Sequence, residues 1–154
     1  MRSALPALLC LGLAAIALGC GRKKPPARPE PTPAPKASAV AWLDDYEEGL
    51  RQAKEGGKPL MVDVFAPWCE PCKELDRSVF SRSDVGELSK QFVAVKVDGD
   101  QRRDLVAALR VSGYPTTVFL SAEEKELGRA RGAVKYREML ETMRDALGRS
   151  KQGK

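Results

Sequence analysis

A chain of 154 residues with 43% hydrophobic content has room for one modest domain around a single core. It contains no histidine, which removes imidazole bases, imidazole metal ligands and the Ser/His/Asp and Cys/His nucleophile pairs. The net charge of +5 includes Arg22, Lys23 and Lys24 close behind an apolar N-terminal segment, where anionic headgroups would attract them, so no nucleic-acid partner is needed to explain it.

After Arg2, the run from Ala4 to Leu18 carries Leu8, Leu9, Leu11, Leu13 and Ile16 and ends in small residues. It reads as an export signal, being short for a bilayer span; a retained helix is the second reading. Ala17-Leu18-Gly19-Cys20 resembles a bacterial lipobox, in which the signal is cut before a cysteine that then carries lipid. The resemblance implies a signal at 1–19, lipidation of Cys20 and a membrane anchor. Ala17 stands where the motif usually has Leu, which leaves open a cut elsewhere with Cys20 unlipidated. With Cys10 removed in the signal and Cys20 acylated, Cys69 and Cys72 are the remaining thiols. Residues 20–39 hold prolines at 25, 26, 29, 31, 33 and 35 and no large apolar side chain, as expected of a flexible linker or an extended stalk reaching roughly 50 Å.

A folded domain is expected over 40–148, with a disordered tail at 149–154. Trp42, Leu43, Tyr46, Leu50 and Ala53 recur at helical spacing and predict a helix closed by Gly56-Gly57. Leu60 to Ala66 reads as a buried strand, and Trp68-Cys69-Glu70-Pro71-Cys72-Lys73 then turns into a helix carrying Leu75 and reaching Phe80, with Pro71 in a first turn that needs no amide donor. Ser83 or Asp84 caps a short helix through Lys90, and Phe92 to Asp98 alternates as a second strand. A helix over Arg103 to Leu109, a hairpin of Thr116–Leu120 with Lys125–Arg131, and an amphipathic helix over Val134 to Leu147 complete the order. Strands alternating with helices up to a closing hairpin imply an α/β fold: a mixed sheet with an antiparallel edge and helices on both faces.

The chemistry concentrates at Cys69 and Cys72. A Cys-x-x-Cys turn places two sulfurs one helical turn apart, able to close a small disulfide or open to a dithiol. A zinc site would need a second ligand pair, and covalent haem would need His where Lys73 stands, so neither metal nor cofactor is expected. At a helix N-terminus the peptide dipoles favour the thiolate of Cys69; Glu70 opposes this by like charge and Lys73 assists. Asp63 interrupts an apolar strand, where an unpaired carboxylate is costly, so it is either protonated or water-linked near the thiols, with a pKa raised by burial, or turned to the surface.

In this order, Asp63, the Trp68–Lys73 motif and Gly113-Tyr114-Pro115-Thr116 resemble the thioredoxin superfamily over about Val40 to Leu147. The added N-terminal helix, the Lys58-Pro59 lead and the separate short helix after Phe80 look most like domains of the periplasmic thiol:disulfide interchange type. The resemblance implies a thioredoxin-like fold in which Cys69 is the exposed nucleophile, Cys72 the buried resolving thiol and Pro115 a cis proline against the disulfide, with Thr116 beyond it as a further substrate-binding residue. Asp63 would accept the proton of Cys72 when a mixed disulfide resolves. A cis turn would expose the amide and carbonyl of Tyr114 to an extended substrate; an ordinary trans proline at strand entry is the plain alternative. Trp68 is read as a substrate contact over a packed core residue, whereas Trp42 is placed on its helix's stripe. The lysine that such domains often set near the buried acid falls at Ala94 in this alignment, and Lys96 is not expected to replace it.

Together these readings describe a periplasmic or otherwise extracytoplasmic, lipid-anchored, monomeric thiol:disulfide oxidoreductase. It acts on protein thiols and disulfides and is recycled by a redox partner. Either direction of electron flow is chemically allowed, and the resemblance alone favours a reductase. The alternative is a binding module of the same fold with Cys69–Cys72 as a permanent clip.

Overall fold

The computed structural model describes residues 39–152. The signal, Cys20 and all but the last residue of the Pro-rich segment lie outside them. Ten elements follow in order: α1 (Tyr46–Gly56), β1 (Leu60–Phe65), α2 (Glu70–Leu75), a π-helical turn (Asp76–Phe80), α3 (Ser83–Ser89), β2 (Val93–Asp98), α4 (Arg103–Ala108), β3 (Thr116–Leu120), β4 (Glu126–Arg131) and α5 (Tyr136–Gln152). Among the described residues no helix is long and apolar enough to cross a membrane.

The sheet runs β2-β1-β3-β4, with β1 parallel to β2 and antiparallel to β3, and β3 antiparallel to β4. Helices cover both faces, as the alternation of elements requires. Because strand side chains point alternately up and down, β1 feeds two cores at once. Leu60, Val62 and Val64 join Val95, Val97 and Val118 under Tyr46 and Ala53 of α1 and Leu105 of α4. Met61 joins Ala94 and Phe119 under Leu75, Val79 and Phe80 on one side and Met139 and Met143 of α5 on the other. Leu60, Met61, Val62 and Val64 are fully buried, and each such side chain contributes about 1.5–3 kcal/mol of transfer free energy.

The first helix begins later than its apolar spacing predicts. Asp45 is extended and caps α1, its carboxylate accepting from the Glu48 N–H at 2.8 Å. Trp42 and Leu43 therefore precede the helix as a short extended stretch, where neighbours point to opposite faces. The Leu43 N–H donates to Ala94 O and the Lys96 N–H to Leu43 O, adding one bridge to the outer edge of β2. Trp42 leaves the expected stripe and meets the Phe80 ring edge-on at 5.0 Å, in the other core. Gly57 ends α1 with φ 58°, a left-handed cap that glycine adopts without a Cβ clash.

Two further boundaries differ. Arg82 stands at the start of α3 with no side-chain cap; Asp84 bonds its neighbour's Val85 N–H, receives the Tyr136 hydroxyl and pairs with Arg82. The last helix starts at Tyr136 and continues to Gln152, so residues 149–152 are helical where a disordered tail is expected from 149. Arg149 donates to Leu127 O at 2.8 Å and ties these last turns to β4.

Candidate active site

At the end of β1 the chain leaves the sheet through Ala66 and Trp68 and re-enters order at Cys69, the N-cap of α2. Cys69 is extended there, its N–H donating to Ala66 O at 3.1 Å. Its Sγ accepts the Cys72 N–H at 3.2 Å, one of the helix's open amides, and Pro71 occupies the first turn, where its missing N–H costs nothing. Cys69 and Cys72 are joined in a disulfide with Cα atoms 5.3 Å apart. A negative charge developing on Cys69 thus meets a hydrogen bond and the positive end of the helix.

An exposed first cysteine beside a buried second one is not what the structure shows. Both are equally covered, at 3% exposure, packed with Ala66 and flanked by Phe65 and Tyr114. Each sulfur shields the other in the bonded pair. Glu70, beside Cys69 in sequence, is exposed and paired with Lys73 (3.2 Å) and Arg77 (3.3 Å), which hold its carboxyl below the usual range and offset its repulsion of a thiolate.

The loop before β3 supplies the other wall. The Tyr114–Pro115 bond is cis, and Tyr114 packs against the cysteine cluster. Thr116 is buried and its hydroxyl donates to Gly113 O at 2.7 Å, so its side chain pins this turn and is not a surface for substrate. Trp68 is the exposed large hydrophobic of the described residues, at 69%. Its indole N–H donates to Asp100 Oδ2 at 2.7 Å and its ring stands edgewise to Tyr114 at 6.0 Å. It is held in place yet open to contact, and it is not a core residue.

Asp63 is 1% exposed, with Thr117 Oγ1 donating to its Oδ1 at 3.0 Å and the Lys96 ammonium 3.7 Å from its Oδ2. Burial pushes its pKa up from 3.8 to about 6, Lys96 and the Thr117 hydroxyl pull it back, and Asp76 adds a push upward. Burial raises it, as the strand position predicts, and the groups beside the carboxyl are the Lys96 ammonium and the Thr117 hydroxyl. Lys96 does take the role assigned to the Ala94 position: the register sets Lys96 opposite Asp63, and Ala94 opposite Met61. Lys96 also bonds Asp76 and lies within 5.3–5.8 Å of the Trp42, Phe65 and Phe80 ring centroids, so the ammonium sits in a cage of two carboxylates and three aromatic faces.

Lys96, Asp76, Thr117 and Asp100 are site residues the sequence reading missed. Asp76 carries the one usable signal, lying four residues beyond Cys72 and so on the same side of the helix; its N–H donates to Cys72 O. Lys96, Thr117 and Asp100 are brought in by strand register and by a distant turn, neither of which local spacing encodes. Among the described residues no three His, Cys, Asp or Glu side chains form a group able to hold a metal ion. A cavity of about 590 Å³ bordered by Lys54, Lys58, Ser121 and Arg149 lies at the other end of the sheet, before β1 and after β3.

Residues 41–122, more than half of the chain, match the family model described as thioredoxin-like. The chain belongs to that family. A thioredoxin from Thermus thermophilus is 30% identical, covering 71% of this chain and 88% of its own, with a TM-score of 0.64. The germline-specific thioredoxin Deadhead of Drosophila melanogaster is 28% identical, covering 68% and 94%, with a TM-score of 0.56. Among curated proteins, the thiol:disulfide interchange protein DsbD of Klebsiella pneumoniae is 40% identical over 95 residues, 59% of this chain but 15% of that protein. The chain thus spans less than a fifth of the length of such relatives. A thioredoxin-like domain with a Cys-x-x-Cys disulfide at its helix N-terminus supports thiol:disulfide oxidoreductase chemistry.

Proposed function

We propose that this protein is an extracytoplasmic, lipid-anchored protein-disulfide oxidoreductase that works as a reductase. The observation that carries the reading is the Cys69–Cys72 disulfide at the mouth of α2, with Cys69 Sγ already accepting an amide hydrogen bond beside the Tyr114–Pro115 turn. In the reduced protein the Cys69 thiolate attacks one sulfur of a substrate disulfide, forming a mixed disulfide and releasing the other substrate sulfur as a thiolate. Cys72 passes its proton toward Asp63 and attacks Cys69 Sγ; the second substrate thiolate leaves, and the Cys69–Cys72 bond re-forms. The substrate gains two electrons, and a partner dithiol must then reduce the enzyme.

An incoming extended chain would pair with the amide and carbonyl of Tyr114, which enter no backbone hydrogen bond among the described residues, and would rest against Trp68. The reductive direction, the redox partner and the periplasmic setting draw on the interchange proteins it resembles, and the anchor on Cys20 and the apolar run before it. No cofactor is needed for this chemistry, and one chain supplies every residue named.

The rival clip reading takes its support from the equal burial of the two cysteines. Insulin reduction driven by a small dithiol separates the two: the enzyme turns over, Cys69→Ser abolishes turnover and Cys72→Ser accumulates mixed disulfides, whereas a clip exchanges in none of these. Resolution of a preformed mixed disulfide slows in Asp63→Asn; an unchanged rate removes the acid from the mechanism. Cell fractionation of Cys20→Ala tests the anchor, which predicts release from the membrane.

A further inference from the structure

Gly99 and Asp100, in the turn between β2 and α4, each touch one of the two aromatic rings beside the disulfide. Asp100 holds the Trp68 indole by a 2.7 Å hydrogen bond and is itself met by Arg103 at 3.5 Å. Gly99 acts by leaving room. A Cβ built on it would lie 2.3 Å from Tyr114 Oη and 2.6 Å from Cε1 and Cζ, distances at which one of the two groups must move. Its φ lies outside the left-handed region, so the backbone does not call for glycine there; the demand is for space alone. Its N–H donates to Phe65 O at 2.8 Å, which fixes the turn to the end of β1 and hence to the segment that leads into Cys69.

We propose that Gly99 is a positioning residue for substrate selection: by seating the Tyr114 ring against Trp68 it builds an aromatic edge that takes an aliphatic or aromatic side chain of the incoming polypeptide next to its disulfide. The proposal rests on the oxidoreductase reading and adds its specificity. The ring's tip sits over Gly99, its body packs against the cysteine cluster and Trp68 stands edgewise to it at 6.0 Å. Displacing the ring from its seat moves it relative to both Trp68 and the cysteines, so a contact made by the substrate's apolar side chain is lost while the sulfurs stay where they are.

Two disulfide-linked peptides that differ by Leu or Ser beside the cystine, reduced by the full chain with a small dithiol as electron source, provide the test. The wild-type protein prefers the Leu peptide about tenfold in kcat/KM, the size of one well-placed aromatic contact. Gly99→Ala brings the two peptides close to parity, mostly through KM for the Leu peptide. Tyr114→Ala does the same, and adding Gly99→Ala to it costs no further preference, because the seat no longer has an occupant. Gly99→Ala retaining the tenfold preference overturns the proposal, as does a double variant that loses more than Tyr114→Ala alone. Should Gly99→Ala fail to fold, Tyr114→Ala decides: it leaves the seat empty, and a retained Leu preference overturns the proposal. Failure of the wild-type protein to reduce either peptide defeats both this proposal and the oxidoreductase reading, so the protein that fails shows which of them has gone.

Discussion

The two faces of β1 are equally buried and differently made. Toward α1 and α4 the strand presents Leu60, Val62 and Val64 to an aliphatic layer in which Val62 lies between Val95 and Val118. Toward α2 it presents Met61 and then Asp63, whose register neighbours are Lys96 and Thr117 and whose network reaches Asp76 on the helix of the cysteines. A buried charge is thus tolerated on one face because a donor and an opposite charge converge on it from the two flanking strands, Thr117 of β3 and Lys96 of β2. The same strand on its other face offers nothing of the kind. The buried carboxylate of this strand lies on the face that carries the cysteine helix.

Moving a carboxylate to the aliphatic face breaks the comparison most severely. Val62→Asp would set the acid between two valines, with no donor in reach, and is expected to cost about 5 kcal/mol, met by protonation or by unfolding. Urea denaturation at neutral pH measures it. A loss under about 1 kcal/mol would show that water reaches this layer and that the two faces do not differ as described.

How much of this asymmetry could be read beforehand follows from the reach of each signal. The order of elements, the Cys-x-x-Cys turn and the burial of Asp63 are local patterns of composition and period, and they carry through to the structure. Lys96 was passed over because parallel strands joined by a long connection can pair in several registers, and a shift of two residues exchanges Ala94 for Lys96. Trp42 was misplaced because spacings of one and three fit a helix and an extended pair before a cap equally well; Asp45 decides between them, through a hydrogen bond visible only in three dimensions. Gly99 and Asp100 carried no signal, since a glycine that serves by leaving space reads like any turn glycine.

A second prediction sharpens the comparison on the charged face. Asp63 has its pKa raised to about 6, so between about pH 4 and 6 the folded protein holds a proton that the unfolded chain has released. The sign is therefore destabilising: the penalty is absent below the unfolded value, grows as pH climbs through that window and is complete above it. Asp63→Asn carries no such term, and its stability relative to wild type is expected to rise by about 2 kcal/mol from about pH 4 to pH 7. Taking the difference cancels the exposed carboxylates common to both proteins. In Lys96→Met the attraction that restrains this pKa is gone, and the window extends above pH 6. A flat difference across the range would place Asp63 in contact with solvent.

The smallest effect is expected where the ionic contacts look similar and the surroundings do not. Arg51 on α1 bonds Glu48 at 2.6 Å and Glu55 at 2.7 Å, two carboxylates on one cation, as Lys96 has Asp63 and Asp76. All three α1 groups stand in water, where screening and the entropy of fixing long side chains consume most of the attraction. Arg51→Ala should leave the urea midpoint within the scatter of repeated measurements, and added salt should change wild type and variant alike. A clear loss in Arg51→Ala, comparable to that of Lys96→Met, would mean that the count of ion pairs governs stability here and that burial of the Lys96–Asp63 pair confers nothing special.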